Sequence, residues 1–254
     1  MTTLSVIIPF YEDLPSLLKC INTLSASGVL GNELLIQDDA SPSVTLDDIL
    51  NPQIWQRNPV NLGFAGNCNA GAARANGDVL LFLNQDTYAG ERSRGWDAAI
   101  VRAFENPKVG IAGARLLFPD GRVQSVGGLF DAKGQPFHRC FGYLDPDYED
   151  CAQRRAVSWV TGAALAIRRD LFVQLGGFDT AYKRGYFEDA DLCVRAQLAG
   201  FEVWYEPDST LYHRVGTSGG NPEYFRQNMH LFKRRWVDSG CVKPDVQMVY
   251  QGWW

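Results

Sequence analysis

The 254-residue sequence predicts an α/β fold, on three observations. Short, β-branched, nearly all-apolar runs recur at Thr3 to Phe10 (TLSVIIPF), Glu33 to Asp38 (ELLIQD) and Val79 to Leu83 (VLLFL), the composition of parallel strands covered on both faces. Between the first two, Leu14, Leu17, Leu18, Ile21 and Leu24 follow helical spacing, with Asp13 and Pro15 as start signals and Gly28 as the stop. Strand, helix and strand in that order make a βαβ beginning. No linker-like, low-complexity or repeated segment divides the chain, so one domain is expected.

Composition narrows the function classes. Lys plus Arg total 24 against 29 for Asp plus Glu, a net charge of -5, which leaves no electrostatic footprint for nucleic acid. Six scattered cysteines with no CxxC pair suggest neither a zinc site nor a disulfide framework, and they read as reduced, mostly buried residues. The amino terminus enters a strand without a signal-peptide pattern, and no apolar run approaches the ~20 residues of a transmembrane segment. A cytoplasmic protein is expected, with the inner face of the membrane as a second place through peripheral contact. The carboxyl-terminal Gln251-Gly252-Trp253-Trp254 reads either as an interfacial anchor or as a packed tail.

The remaining elements follow in order. In α/β sheets, ligands collect outside the carboxyl ends of the strands, where Tyr11, Asp38 and Asp39 lie. PFYED supplies none of the glycines of a dinucleotide fingerprint. After a short strand near Ile54 to Asn58, the stretch from Asn58 to Gly71 is rich in Gly and Asn and leads to a helical Ala72 to Ala75. It reads as a ligand loop exposing N–H groups and amides, or as a plain loop with an Asn cap.

Val79 to Leu83 ends on Asn84-Gln85-Asp86, where a carboxylate at a strand end is placed to hold a hard divalent cation or else is a solvated turn residue. A helix over Trp96 to Phe104 and a strand over Val109 to Leu117 come next, and Asp120-Gly121 signals a hairpin. Residues 122 to 155 lack a sustained period and read as an irregular, mobile excursion. Order resumes from Val157 to Arg168, and a short helix ends at Leu175 before Gly176-Gly177. Glu202 to Tyr205 and Ser209 to His213 read as two strands, and Phe225 to Val237 as a carboxyl-terminal helix.

Three acids, Glu188, Asp189 and Asp191, crowd the start of a helix marked by Leu192, Ala196 and Ala199 and stopped by Gly200. The macrodipole favours negative charge there, and Asp191 with Arg195 makes an i,i+4 pair. That reading leaves catalysis open for the other two.

Taken as a series, VIIPFY, a strand ending in DDAS, NLGFAGNCNAG, a strand ending in NQD, WVTGAALAIRRDLFVQLGGFD, FEDADLCVRAQLAG and a later His after an apolar strand resemble the family 2 inverting glycosyltransferases with the GT-A fold, from about Thr3 to Ser218. NLGFAGNCNAG and GGFDTAYKRGYFEDADLCVR look most like the rhamnosyltransferase-like branch that uses deoxythymidine diphosphate rhamnose. The resemblance implies one Rossmann-like GT-A domain with a central, mostly parallel mixed sheet flanked by helices. Its nucleotide-binding half would span about 1–118 and its acceptor-binding half about 119–254.

Carried over residue by residue, the family pattern puts Pro9 and Tyr11 against the base and gives Asp39 the pyrimidine N–H. Asn61, Gly66 and Asn69 would line the nucleotide-sugar cleft, and Asp86 would coordinate Mg2+ or Mn2+ with His213 as an added ligand. Asn84 replaces the first acid of the family's DxD motif; it can hydrogen-bond a ribose hydroxyl but carries no charge. Asp189 would be the base that takes the proton of an acceptor hydroxyl, with Glu188 orienting the acceptor or tuning Asp189. Trp159, Thr161 and Gly162 would form the acceptor platform, against core packing as the plain role of Trp159.

The implied activity moves a sugar from a nucleoside-diphosphate sugar, dTDP-rhamnose or a UDP-sugar, to a glycan or lipid-linked acceptor in surface polysaccharide synthesis. The alternative is a non-catalytic domain that binds a nucleotide sugar or carbohydrate. A hydrolase or pyrophosphorylase would want a basic phosphate-gripping loop near the amino terminus, and PFYEDLPS has none.

Overall fold

A computed structural model describes residues 2–27, 33–47, 49–214 and 222–248. Strands and helices first alternate as β1 (Leu4–Phe10), α1 (Leu14–Ala26), β2 (Glu33–Asp38), β3 (Trp55–Arg57), α2 (Gly63–Ala72), β4 (Val79–Leu83), β5 (Thr87–Tyr88), α3 (Trp96–Arg102) and β6 (Val109–Leu117). Short pieces follow: β7 (Val123–Ser125), β8 (Gly128–Phe130), β9 (Pro136–His138), α4 (Glu149–Ala152) and β10 (Arg155–Ala156). Then come β11 (Ala164–Arg168), α5 (Arg169–Gln174), α6 (Glu188–Leu198), β12 (Glu202–His213) and α7 (Pro222–Phe232).

The main sheet runs β10-β12-β6-β11-β4-β1-β2-β3, with β5 on β12 and β7 on β6. Strands β3, β2, β1 and β4 are parallel. Because β11 is antiparallel to both β4 and β6, those two run the same way, and β12 is parallel to β6. All the long strands except β11 therefore end at one edge of the sheet. That edge collects Tyr11, Asp39, Asn84 to Asp86 and His213, and β11 enters there through Gly162.

Alternation along β1 divides the core. Val6, Ile8 and Phe10 pack with Leu17, Cys20 and Leu24 of α1 and with Trp96 and Ile100 of α3. Ile7 faces the other side, with Phe82, Cys68 of α2, Phe172 of α5 and Leu192 and Ala196 of α6. Each fully buried Leu, Ile or Phe of this kind contributes about 1.5–3 kcal/mol relative to exposure, so both helix layers are held firmly against the sheet.

The structure differs from the sequence expectations in four places. Most of the Gly/Asn stretch is helix, not a loop before one: α2 begins at Gly63 and contains Gly66, Asn67, Asn69 and Gly71. Its glycines lower helix propensity but permit close packing, since a Cβ on Gly71 would lie 2.6 Å from Ile7 Cγ2. The 122–155 excursion carries β7 to β10 and α4, elements of two to four residues, too short to leave a period in sequence. The two strands expected near the carboxyl end are one, β12, bent by a register shift between Glu206 and Thr210 at Pro207, which has no N–H to pair. Finally, α7 ends at Phe232 and continues as a π-helical turn over Lys233–Val237.

The expected helix stop at Gly28 and the tail at Gln251 to Trp254 lie outside the described residues. Among the described residues, no helix is long and apolar enough to cross a membrane. All six cysteines are free, and four are buried.

Candidate active site

Side-chain clamps hold the strand ends in register. Gln85 Oε1 accepts the Tyr11 N–H at 2.7 Å and Gln85 Nε2 donates to the Tyr11 carbonyl at 3.1 Å, tying the exit of β1 to that of β4. This leaves the Tyr11 ring 42% exposed at the edge, while Pro9 is buried within β1 opposite Gln37.

Asp39 has a structural task at this edge. Its Oδ1 accepts from Leu62 N–H at 2.7 Å and Asn58 Nδ2 at 3.0 Å, and its Oδ2 accepts from Gly63 N–H at 2.9 Å. A carboxylate on the first N–H groups of α2 supplies the cap that the helix lacks locally, since Leu62 makes no side-chain cap bond. Oδ2 retains one lone pair beyond its bond to Gly63.

The asparagines divide their work. Asn58 Nδ2 also donates to Asn67 Oδ1, Gln37 Nε2 donates to Asn58 Oδ1, and Asn67 Nδ2 donates to the Gln37 carbonyl, a buried network under Asp39. Asn61 Nδ2 donates to the Asp39 carbonyl, and its Oδ1 accepts from Arg184. Asn69 brackets Phe178, accepting its N–H at 2.9 Å and donating to its carbonyl at 2.8 Å. Gly66 sits against Leu62 within α2.

Asp86 and His213, 127 residues apart in sequence, meet at the sheet edge: His213 Nε2 lies 3.0 Å from Asp86 Oδ1 and 3.4 Å from Asn84 Nδ2. Gln124 of β7, which sequence reasoning missed, grips the same histidine twice. Its Nε2 donates to the His213 carbonyl at 3.1 Å, so its Oε1, 2.7 Å from Nδ1, is the acceptor and the ring proton sits on Nδ1. Nε2 is then the ring nitrogen turned to Asp86 and Asn84. One carboxylate with one imidazole suits a hard divalent ion whose other positions are filled by substrate oxygens and water. No group of three or more His, Cys, Asp and Glu placed for a metal occurs among the described residues.

The acidic turn splits into three roles. Asp191 is buried and held by three donors: its Oδ2 accepts from Arg195 Nε at 2.7 Å, and its Oδ1 from Tyr182 Oη at 3.0 Å and Trp236 Nε1 at 2.7 Å. The expected i,i+4 pair is present, with two aromatic donors that sequence did not reveal. Glu188 is 4% exposed with Oε2 unpartnered, and burial followed by the Asp189 charge pushes its carboxyl well above the usual range.

Asp189 lies partly open beside the start of β11. Oδ2 accepts the Gly162 N–H at 2.9 Å and Oδ1 the Ala190 N–H at 2.8 Å. Burial raises its carboxyl above the usual range, and these two N–H groups pull the other way.

Around it, Thr161 is half-buried and Gly162 packs by Phe64. Trp159 is 6% exposed, donates its indole N–H to the Leu129 carbonyl at 3.2 Å, and lies flat under Gly128, where a Cβ would be 2.1 Å from the ring. Core packing accounts for this indole. His138 adjoins it at 4.8 Å between ring centroids, and burial, with the His213 charge, pushes its imidazole down to about 4.

Residues 5–175 match the family described as Glycosyl transferase family 2, and the chain belongs to that family. It is 30% identical over 228 residues to the O-antigen biosynthesis protein RfbC of Myxococcus xanthus, covering 84% of this chain and 17% of that protein. It is 31% identical over 158 residues to the N-acetylglucosaminyl-diphospho-decaprenol L-rhamnosyltransferase of Mycobacterium tuberculosis, covering 57% and 50%. The chain thus spans half or less of the length of these relatives. The fold is that of the GT-A structures, among them GalNAc-T7 with UDP, GalNAc and Mn2+, with a TM-score of 0.75 at 18% identity over 94% of this chain and 50% of that one.

Proposed function

We propose that the chain transfers a sugar from a nucleoside-diphosphate sugar, dTDP-rhamnose or a UDP-sugar, to a hydroxyl of a glycan or lipid-linked acceptor, inverting the anomeric carbon, in surface polysaccharide synthesis. The reading rests on one observation above the others. A partly open carboxylate, Asp189, stands by Gly162 at the sheet edge where Asp86 and His213 also converge. The O-antigen and rhamnosyltransferase relatives support the polysaccharide setting, and the neighbour solved with UDP and Mn2+ supports a diphosphate donor with a divalent ion.

In this reading, residues up to about 118 hold the nucleotide and the later ones the acceptor. Tyr11 offers the base a ring face, with Pro9 beneath and Asp39 holding the start of α2 in place while a remaining lone pair accepts the ring N–H. Asn84 meets the ribose, and Asn61, Gly66 and Asn69 shape the cleft wall. Asp86 and His213 hold Mg2+ or Mn2+, which when bound offsets the charge of the leaving diphosphate as a Lewis acid.

Asp189 accepts the proton of the acceptor hydroxyl as that oxygen attacks the anomeric carbon. The bond to the diphosphate oxygen breaks and its electron pair leaves with the nucleotide. A raised carboxyl is a stronger base nearer neutral pH, which suits a weakly acidic alcohol. Glu188, buried and proton-holding, keeps the neighbouring position neutral, so Asp189 ionises without a second charge beside it. Thr161 and Gly162 border the acceptor.

Incubation with Mn2+ and a panel of nucleotide sugars, with and without glycan and lipid-linked acceptors, tests this by nucleoside diphosphate release. Acceptor-dependent release is expected. Donor binding with no release for any pair would refute the enzyme reading in favour of a non-catalytic binding domain.

A further inference from the structure

We propose that Asn228, on α7, is a positioning residue for Asp189: it fastens the left-handed backbone between Lys183 and Phe187 and so sets where the first turn of α6 presents its carboxylate. The proposal rests on Asp189 being the base.

Arg184, Gly185, Tyr186 and Phe187 have φ of 64°, 144°, 78° and 73°. Only glycine adopts such values at little steric cost, and bulky residues hold them where the surroundings over-determine the backbone. Phe187 immediately precedes Glu188 and makes no side-chain cap bond to α6. The course of this loop, rather than a local cap, therefore fixes the entry of the helix.

One amide supplies the outside grip. Asn228 is 1% exposed; its Oδ1 accepts the Lys183 N–H at 3.1 Å, and its Nδ2 donates to the carbonyls of Lys183 at 3.0 Å, Gly185 at 2.8 Å and Tyr186 at 3.2 Å. Phe225 and Phe232 of the same helix pack on Phe187, with ring centroids 5.2 and 5.6 Å apart. Among the described residues, all of the buried amide's hydrogen bonds go to this loop. If it lets go, α6 shifts against β11 and the Gly162 N–H no longer meets Asp189 Oδ2 squarely. That bond is one of the two that hold the carboxylate's charge.

The test compares Asn228→Asp and Asn228→Ala with the wild type. Asp keeps the shape and the acceptor for Lys183 but offers the three carbonyls no donor. We expect kcat to fall by about tenfold or more while donor KM stays within about twofold, the signature of misplacement rather than lost binding. The acid limb of the kcat–pH profile should move to higher pH, because a weaker Gly162 bond raises Asp189 further. Amide hydrogen exchange should quicken over residues 183–190 and stay unchanged in β1 and β4. Adding Arg184→Gly, which removes a left-handed cost, should restore part of the kcat lost in Asn228→Ala.

A folded Asn228→Asp protein with wild-type kcat, acid limb and exchange would overturn the proposal, as would parallel loss of kcat and donor affinity with faster exchange throughout the sheet. If the wild type turns over no donor, the proposed function fails. Exchange over residues 183–190 then decides by itself whether Asn228 fixes the loop.

Discussion

Replacing Glu188 by Gln changes how stability depends on pH, and the sign follows from its surroundings. The side chain is 4% exposed, one carboxyl oxygen has no partner, and burial and Asp189 raise it well above the usual carboxylate range. Below about pH 4.3 both folded and unfolded chains carry the proton, so this group contributes no pH dependence. Above that, the unfolded carboxyl ionises while the folded one keeps its proton. The unfolded state then gains about 1.4 kcal/mol per pH unit until the folded group ionises as well. Wild-type stability should therefore fall, through this group, as pH rises from about 4.3. Gln has the same shape and no proton to lose, so the stability of Glu188→Gln relative to wild type should climb by about 1.4 kcal/mol for each unit in that window. Urea unfolding at a series of pH values from about 4.5 to 6.5 reads the difference directly. A difference independent of pH would refute the claim that Glu188 is buried with its proton.

Asp39→Ala removes an acceptor from the N–H groups of Leu62 and Gly63 and from Asn58, and should cost about 1–3 kcal/mol in urea unfolding, as leaving buried donors unsatisfied does. A cost under about 1 kcal/mol would mean that the cap is not formed. Gln124→Leu should weaken Mn2+ binding, read by calorimetry without substrate, by about 10–100-fold, because the His213 ring loses the acceptor that fixes its tautomer; unchanged affinity would remove His213 from the ligand set. His138, pushed down to about 4 by burial, resists protonation in the folded state, so stability should fall as pH drops from about 6.5 towards that value, and His138→Gln should abolish that part of the fall.

Much of this arrangement was legible because single side chains at strand ends carry it. The apolar runs that became β1, β2 and β4 announced parallel strands, and a parallel sheet brings its carboxyl ends to one edge, so Asp39 and Asp86 were legible there, whereas His213 was joined to Asp86 only by the family resemblance. The nature of the Gly/Asn stretch was not legible. Its helix depends on a cap from Asp39, 23 or 24 residues upstream, while the local glycines argue against helix. Amide clamps escape sequence reading for the same reason. Gln124 reaches a histidine 89 residues away, and Asn228 reaches a loop 42 to 45 residues back, with no periodicity or motif to mark either. Asp191 shows the limit from the other side: its pairing with Arg195 follows from i,i+4 spacing, but the bonds from Tyr182 and Trp236 follow only from packing.

The central claim is that Asp189 is the base for transfer, and Asp189→Asn tests it most directly. Asn keeps the size of the side chain and one oxygen for a neighbouring N–H but takes no proton from an acceptor hydroxyl. Transfer should fall by about 10²–10⁴-fold while donor binding, read by calorimetry with Mn2+ present, stays at the wild-type value. Transfer that survives the substitution, or donor affinity that falls along with it, would contradict the assignment.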